Sequence, residues 1–292
     1  MSTYGFKQVD VFTAQPFLGN PVAVVLEADD IDPAQMQRIA SWTNLSETTF
    51  VLRPSSPDAD YRLRIFTPTG ELPFAGHPTV GSAHAVLESG FLPSESRSLR
   101  QECGAGVLPL TVEGSGADRR IFVRVPEAKV LRDCGEAAEA ISAALGAPIA
   151  GRPAPMAIDV GPVWLVVHME DVDSVRRLEP DMTAVAGLSR ELNVTGVTVF
   201  SLGSGEQAAV HVRCFAPAVG IPEDPVTGSG NATVAAYLAE TGMLEQTGEA
   251  YLASQGTEMG RNGEVFVRVL ADGREIEIGG RSLTVIEGRI SL

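Results

Sequence analysis

Cysteine is scarce, with Cys103, Cys134 and Cys214 the three among 292 residues. So odd and widely spaced a set makes neither a disulfide framework nor a zinc site, which leaves buried free thiols as the expectation. Histidine is nearly as sparse: four residues, His77, His84, His168 and His211, with no ligand cluster among them. His77 and His84 have the spacing to share a helix face, but no carboxylate completes a metal set beside them, and no metal is expected. Basic residues are few, 22 Lys and Arg against 37 Asp and Glu, for a net charge of −15. A surface of that sign repels phosphate backbones and anionic lipid, so nucleic acid and membrane are poor partners. A small anion needs only a local cluster of backbone N–H groups or a helix N-terminus. No apolar run approaches the length of a membrane span, and Met1 to Gln8 lacks the basic and apolar parts of a secretory signal. The expectation is a cytoplasmic protein. Gly203-Ser204-Gly205 and Gly228-Ser229-Gly230 are bare glycine–serine runs without Walker or dinucleotide spacing, and no organic cofactor is expected.

What is present is an ordinary globular composition, 44% hydrophobic and 20% charged, in a chain long enough for two domains or one large one. The chain also repeats itself once. Asp32-Pro33 opens a helical stretch running to about Trp42, and Asp181 opens another ending near Leu192. Asp32 is placed to cap its helix, and Pro33 suits the first helical position. The run Asn44-Leu45-Ser46-Glu47-Thr48-Thr49-Phe50-Val51 aligns with Asn193-Val194-Thr195-Gly196-Val197-Thr198-Val199-Phe200. The same offset pairs Arg64-Ile65-Phe66 with Arg213-Cys214-Phe215. A small step in offset then pairs Gly76 with Gly228, His77 with Ser229, Ala83 with Ala235 and Gly90 with Gly242. Upstream, Pro21-Val22-Ala23-Val24-Val25 matches Pro162-Val163-Trp164-Leu165-Val166; downstream, Gln101 and Gly106 match Gln255 and Gly260.

The series in register predicts two copies of one α+β unit related by a pseudo-two-fold axis. Short β-rich runs serve each unit: Val22–Leu26, Thr49–Leu52, Tyr61–Phe66, Val107–Val112 and Ile121–Val125, then Leu165–His168, Val197–Ser201, His211–Phe215 and Val265–Val269. Thr79–Leu87 and Ala232–Leu238 are rich in Ala, Val and Leu, as a helix lying inside a curled sheet would be. Residues 126–137 read as the linker between units. The domain boundaries expected are 1–128, completed by a C-terminal strand over 283–292, and 129–282.

The loops before the two apolar helices are the places to look for chemistry. Free N–H groups at a helix start bind anions, and glycine allows close approach. Two such starts facing one cleft would hold a carboxylate; ordinary capping by Thr227, Ser229 and Asn231 would give the same letters. The repeat is asymmetric at an acid: Glu47 stands where the second half has Gly196. Pointed into a cleft, Glu47 would serve as an acid/base; pointed outward it is a surface residue at the start of a strand. Asp224 reads either as a turn cap before Pro225 or as a group that orients a ligand amine or supports His77. His77 reads either as a proton shuttle or as a histidine donating to a nearby carbonyl.

At these residues the chain resembles the phenazine-biosynthesis PhzF-like family. The likeness runs from Asp10-Val11-Phe12 and Gly19-Asn20-Pro21 through NLSETTFVLRP from Asn44. It is densest in RIFTPTGELPFAGHPTVGSA from Arg64, and it resumes in EDPVTGSGNA from Glu223 and QGTEMGR from Gln255. The resemblance implies an α+β fold of the diaminopimelate-epimerase-like kind, two domains each with a curved sheet or barrel around a central helix, and a homodimer. It implies a cofactor-independent isomerase acting on a small anionic substrate. In phenazine biosynthesis that substrate is trans-2,3-dihydro-3-hydroxyanthranilate, which is converted to its ketone tautomer. Carried over, Glu47 is the acid/base, with His77, Asp224 and Ser229 as the other catalytic groups. Gly76 and Gly228 would offer backbone donors to the carboxylate, and Asn20 and Ser46 would lie beside it.

Epimerase and racemase relatives use two cysteines at the positions held here by His77 and Ser229, so a two-thiol racemase is not expected. Where the phenazine enzymes have a smaller residue, this chain has Asn231. Two other readings stay open: an isomerase or epimerase of another modified amino acid, and a catalytically idle binding protein on the same fold.

Overall fold

A computed structural model describes residues 2–203, 208–270 and 275–292. Ser204 and Gly205, in the first glycine–serine run, lie outside the described residues. In chain order the elements begin β1 (Thr3–Val11), β2 (Asn20–Leu26), α1 (Pro33–Thr43), β3 (Thr48–Leu52), β4 (Tyr61–Phe66), β5 (Glu71–Leu72), α2 (Gly76–Glu88), β6 (Ser98–Cys103), β7 (Gly106–Glu113) and β8 (Arg120–Arg124). They continue β9 (Lys129–Asp133), α3 (Ala138–Leu145), β10 (Met156–Asp159), β11 (Val163–His168), α4 (Val172–Arg176), α5 (Met182–Glu191), β12 (Gly196–Leu202), β13 (Val210–Ala216) and β14 (Ile221–Asp224). The last are α6 (Gly228–Glu240), α7 (Leu244–Thr247), β15 (Ala250–Gln255), β16 (Gly263–Leu270), β17 (Glu275–Gly280) and β18 (Ser282–Ser291). Two compact units result, Met1–Arg124 with Gly279–Leu292, and Val125–Ile278.

In the first unit the pairing runs β18–β1–β2–β3–β4–β6–β7–β8, antiparallel except for β2–β3 and β4–β6. The second runs β9–β10–β11–β12–β13–β15–β16, with β11–β12 and β13–β15 parallel. Each sheet curls around one helix. Helix α2 touches β1, β2, β3, β4, β8 and β18, and α6 touches β9, β10, β11, β12 and β16. Every residue of α2 from His77 to Leu87 is buried, as is Gly230–Leu238 of α6. Their Ala-, Val- and Leu-rich composition has that cause: no side of either helix faces water.

A second helix covers the outer face of each sheet. Met36, Ile39 and Ala40 of α1 pack with Val25, Phe50, Leu52 and Phe66. Val185 and Leu188 of α5, with Ile141 and Leu145 of α3, pack with Leu165, Val167, Val197, Val199 and Phe215. Strands covered on both faces lose the apolar–polar alternation, and β3 and β13 are buried at every residue. Thr49 shows how the inner face tolerates polarity: its Oγ1 lies 2.8 Å from Ser82 Oγ on α2 and 3.2 Å from the Ala23 carbonyl.

The repeat read from sequence is a repeat of interactions. Asp32 caps α1 by accepting from the Gln35 N–H, and Asp181 caps α5 by accepting from Thr183 and Ala184. Asn44 and Asn193 both take the left-handed conformation, φ 55 and 49, where the chain turns from helix to strand. Gly90 and Gly242, φ 76 and 72, end the two buried helices. Arg64 grips Glu71 with Nε and Nη2, both at 2.7 Å; Arg213 grips Glu223 the same way at 2.8 and 3.0 Å. Each guanidinium also lies over a phenylalanine ring, Phe66 at 5.1 Å and Phe215 at 4.9 Å. The two ion pairs tie β5 to β4 and β14 to β13, fixing the loops that lead into α2 and α6.

Two expectations are corrected. Residues 126–137 are not a bare linker: they contain β9, which pairs with β10, and a 3-10 turn over Gly135–Ala137. The strand escapes a hydropathy reading because Lys129–Asp133 is exposed at every position. Of the thiols, Cys134 and Cys214 are buried but Cys103 is half-buried.

At Gly230 helix α6 lies close against its sheet. A Cβ there would lie 2.4 Å from Cys214 Sγ and 3.2 Å from Thr198 Oγ1. Gly230→Ala is expected to lower stability by about 1–3 kcal/mol through overpacking. Combined with Cys214→Ala, which removes the clashing sulfur, part of that loss should return. Urea midpoints of the two single variants and the double variant check this; strictly additive losses would mean that the sulfur contact is not the cause.

Candidate active site

In the first unit the structure brings Glu47 and His77 together. Asn44 ends α1 in a left-handed turn, and three residues later Glu47 leads into β3 with its carbonyl accepting from the Ala23 N–H at 3.4 Å. Its side chain is 13% exposed and its Oε2 lies 3.4 Å from His77 Nε2. Glu47 is therefore not an outward-facing surface residue. His77 is the second residue of α2 and is 8% exposed.

Burial pushes the His77 imidazole down to about 3, against a backbone hydrogen bond to Pro21 that favours the charged form. Nε2 makes no hydrogen bond, so the nitrogen bonded to Pro21 is Nδ1, which donates. A neutral ring with its proton committed at Nδ1 turns a lone pair at Nε2 toward Glu47. Pro21 follows Asn20, which begins β2 and is fully buried. Ser46 and Gly76 adjoin Glu47 and His77 in the chain, and both are half-buried.

In the second unit the matching helix start is built differently. Ser229 is the second residue of α6, in the place of His77, and its Oγ accepts from Trp164 Nε1 at 3.0 Å. An indole only donates, so the Ser229 proton points elsewhere. Trp164 is 4% exposed and pairs with Gly196 in the sheet; because Ala23 pairs with Thr48, the residue in the same place of the first unit is Val22, which faces α2. The two exchanges are coupled. A Cβ on Gly196 would come within 2.9 Å of Trp164 Cζ3 and 2.3 Å of the Phe215 carbonyl. A tryptophan that reaches Ser229, together with the Phe215 carbonyl, excludes an acid at 196.

Asp224 ends β14 and is half-buried, and its Oδ2 accepts from Thr227 Oγ1 at 2.5 Å. This corrects the capping reading. Thr227 occupies the N-cap position of α6 and Ala75 that of α2, and neither makes a side-chain cap bond. The Thr227 hydroxyl is committed to Asp224 instead. Asn231 is 1% exposed and donates to Gln255 Oε1 and to the Thr227 carbonyl. Gly228 is buried as the first residue of the helix.

The thiols are poor proton carriers. Burial pushes Cys214 up to about 12 and raises Cys103 and Cys134 as well. Among the described residues no group of three or more His, Cys, Asp or Glu is placed to hold a metal ion, and no helix is long and apolar enough to cross a membrane.

Residues 9–288 match the family model described as phenazine biosynthesis-like protein, PhzC-PhzF. The chain belongs to that family. It is 39% identical to antisense-enhancing sequence 1 of Schizosaccharomyces pombe, with 99% of each chain covered. It is 36% identical to trans-2,3-dihydro-3-hydroxyanthranilate isomerase of Pseudomonas fluorescens, over 99% of this chain and 100% of that one. Among solved structures, a PhzF-family phenazine biosynthesis protein of Bacillus anthracis superposes with a TM-score of 0.87 at 29% identity, covering 100% of both chains. The fold is of the diaminopimelate-epimerase-like α+β class, and the protein is an isomerase of the PhzF-like kind.

Sequence reasoning missed Trp164. Its signal was a tryptophan inside the apolar run that matches Pro21–Val25, although the strand register sets it in the place of Val22 rather than Ala23.

The state of His77 has a thermodynamic consequence. The folded protein binds its proton less readily than the unfolded chain, so the contribution of His77 to stability is complete above pH 6.5 and falls as pH drops toward about 3. His84, pushed by burial to about 4, acts in the same direction. Between pH 7 and pH 5 His77 alone should remove about 2 kcal/mol. Urea unfolding at the two pH values checks this: His77→Gln should show a smaller drop than the native protein, and an equal drop would mean that His77 is not the source.

Proposed function

We propose that the protein is a cofactor-independent isomerase that moves a proton on a small carboxylate, with Glu47 as the acid/base. The observation that carries the reading is the contact of the Glu47 carboxyl with the lone-pair nitrogen of a buried, neutral His77. A partly desolvated carboxyl beside such a ring is placed to accept a proton from carbon and return it to another position. The candidate substrate is trans-2,3-dihydro-3-hydroxyanthranilate, on which a relative of 36% identity is named as acting. Glu47 removes the proton at C3 and the same carboxyl returns one at C5; the enol so formed becomes the ketone. Atoms balance with no oxidant or second substrate.

His77 shares the proton with Glu47. Asp224 contacts the amine or hydroxyl of the substrate, and Ser229, which already accepts from Trp164, donates to it. The backbones of Gly76 and Gly228 receive the carboxylate, with Asn20 and Ser46 beside it. A cytoplasmic homodimer built from the domains 1–128 with 283–292 and 129–282 belongs to the same proposal.

Incubation with this substrate in deuterated water provides the test. Loss of the diene absorbance with deuterium appearing at C5 is the expected result. Glu47→Gln should lower kcat about 10²- to 10⁴-fold with the fold intact. Turnover that Glu47→Gln leaves undiminished would remove Glu47 from the role. A folded native protein that does not react would move the search to other modified amino acids.

A further inference from the structure

The loop before α6 contains a hydrogen-bond chain that the proton transfer does not use. Gln255, the last residue of β15, is 1% exposed. Its Oε1 accepts from the Thr227 N–H and from Asn231 Nδ2, both at 3.0 Å. Its Nε2 donates to the Asp224 carbonyl at 2.9 Å and to Thr227 Oγ1 at 3.0 Å. Turning the amide over would set Nε2 against an N–H and Oε1 against a carbonyl, so one orientation alone satisfies all four contacts. Thr227 Oγ1 therefore accepts from Gln255 and has one proton to give. Asp224 Oδ2 lies 2.5 Å away, and an ionised carboxylate only accepts. The thiol of Cys214 beside Thr227, pushed up to about 12, stays neutral at pH 7 and competes weakly for that proton.

We propose that Gln255 and Thr227 are positioning residues for Asp224: the buried Gln255 amide directs the Thr227 hydroxyl so that its single proton holds one oxygen of the Asp224 carboxylate. The proposal rests on the reading of Asp224 as a substrate-binding group. The first unit supplies the comparison. Gln101, the counterpart of Gln255, is likewise buried, accepts from Tyr61 and donates to Thr79 on α2 at 3.1 Å. Thr79 stands where the second unit has Asn231, but the places of Asp224 and Thr227 are held by Leu72 and Ala75. The glutamine clamp is thus common to both units, and the carboxylate held by it belongs to the second alone. Asp224 has a direction before substrate arrives, which lowers the entropy lost when a ligand amine or hydroxyl binds it.

The hydroxyl proton is the first readout, because it needs no substrate. In protein carrying labelled threonine, a slowly exchanging hydroxyl resonance of Thr227 is expected downfield of the other threonine hydroxyls. In Gln255→Glu a second carboxylate competes for that proton, so the resonance should move or vanish. Its absence from the native protein, or its persistence unchanged in Gln255→Glu, overturns the proposal. Should Gln255→Glu fail to fold, the isosteric Thr227→Val and the hydroxyl-retaining Thr227→Ser decide it by kinetics. Thr227→Val should lower kcat/KM on trans-2,3-dihydro-3-hydroxyanthranilate about 10- to 100-fold, the worth of one hydrogen bond to a charged group, and Thr227→Ser should restore it. Thr227→Val at native activity beside an inactive Asp224→Asn overturns the positioning role and leaves Asp224 in place. Native activity in Asp224→Asn removes the reading of Asp224, and the proposal with it.

Discussion

A helix enclosed by a sheet on every side has no face to give to water. Both α2 and α6 meet this constraint with small apolar residues along their length, and the polar groups they carry must be satisfied within the protein. One buried glutamine per unit does much of that work. Gln101 anchors α2 through Thr79, and Gln255 anchors α6 through Asn231 and the Thr227 N–H. Because each glutamine ends or lies within a strand of the surrounding sheet, the first turn of each helix is fixed against its own sheet. Whatever stands on that turn, His77 in one unit and Ser229 in the other, is held by the same frame.

Onto this shared frame the two units place different chemistry. The first puts a carboxyl 3.4 Å from the helix-start histidine, and the second puts an indole N–H 3.0 Å from the helix-start serine. The difference depends on volume as much as on charge. Trp164 and the Phe215 carbonyl fill the space over Gly196 that any side chain there would need. Desolvation has opposite uses in the two places. It keeps His77 neutral so that Nε2 offers a lone pair, and it keeps the Cys214 thiol protonated and out of the proton chemistry.

Much of the fold was legible in the chain, and the reasons are local. Asp32 and Asp181 announced helix starts because capping depends on a few consecutive residues. Arg64 and Arg213, Gln101 and Gln255, and the asparagine turns stood in register because each pair performs one task twice. What was not legible depended on neighbours distant in sequence. The exposed β9 has no apolar pattern and exists as a strand because β10 lies beside it. Thr227 has the composition of a cap, yet its hydroxyl turns to Asp224, which satisfies it three residues away.

The sequence by itself determined that there are two copies of one unit, which two stretches form the buried helices, and that Glu47 stands opposite a glycine. These follow from periodicity, composition and order along the chain. Only the tertiary structure decided that Glu47 turns inward to His77, that His77 is neutral with its proton on the Pro21 side, and that Trp164 rather than a capping group holds Ser229. Each of those depends on which atoms surround a side chain and how much water they leave it. That is a property of packed elements, and no spacing of letters encodes it.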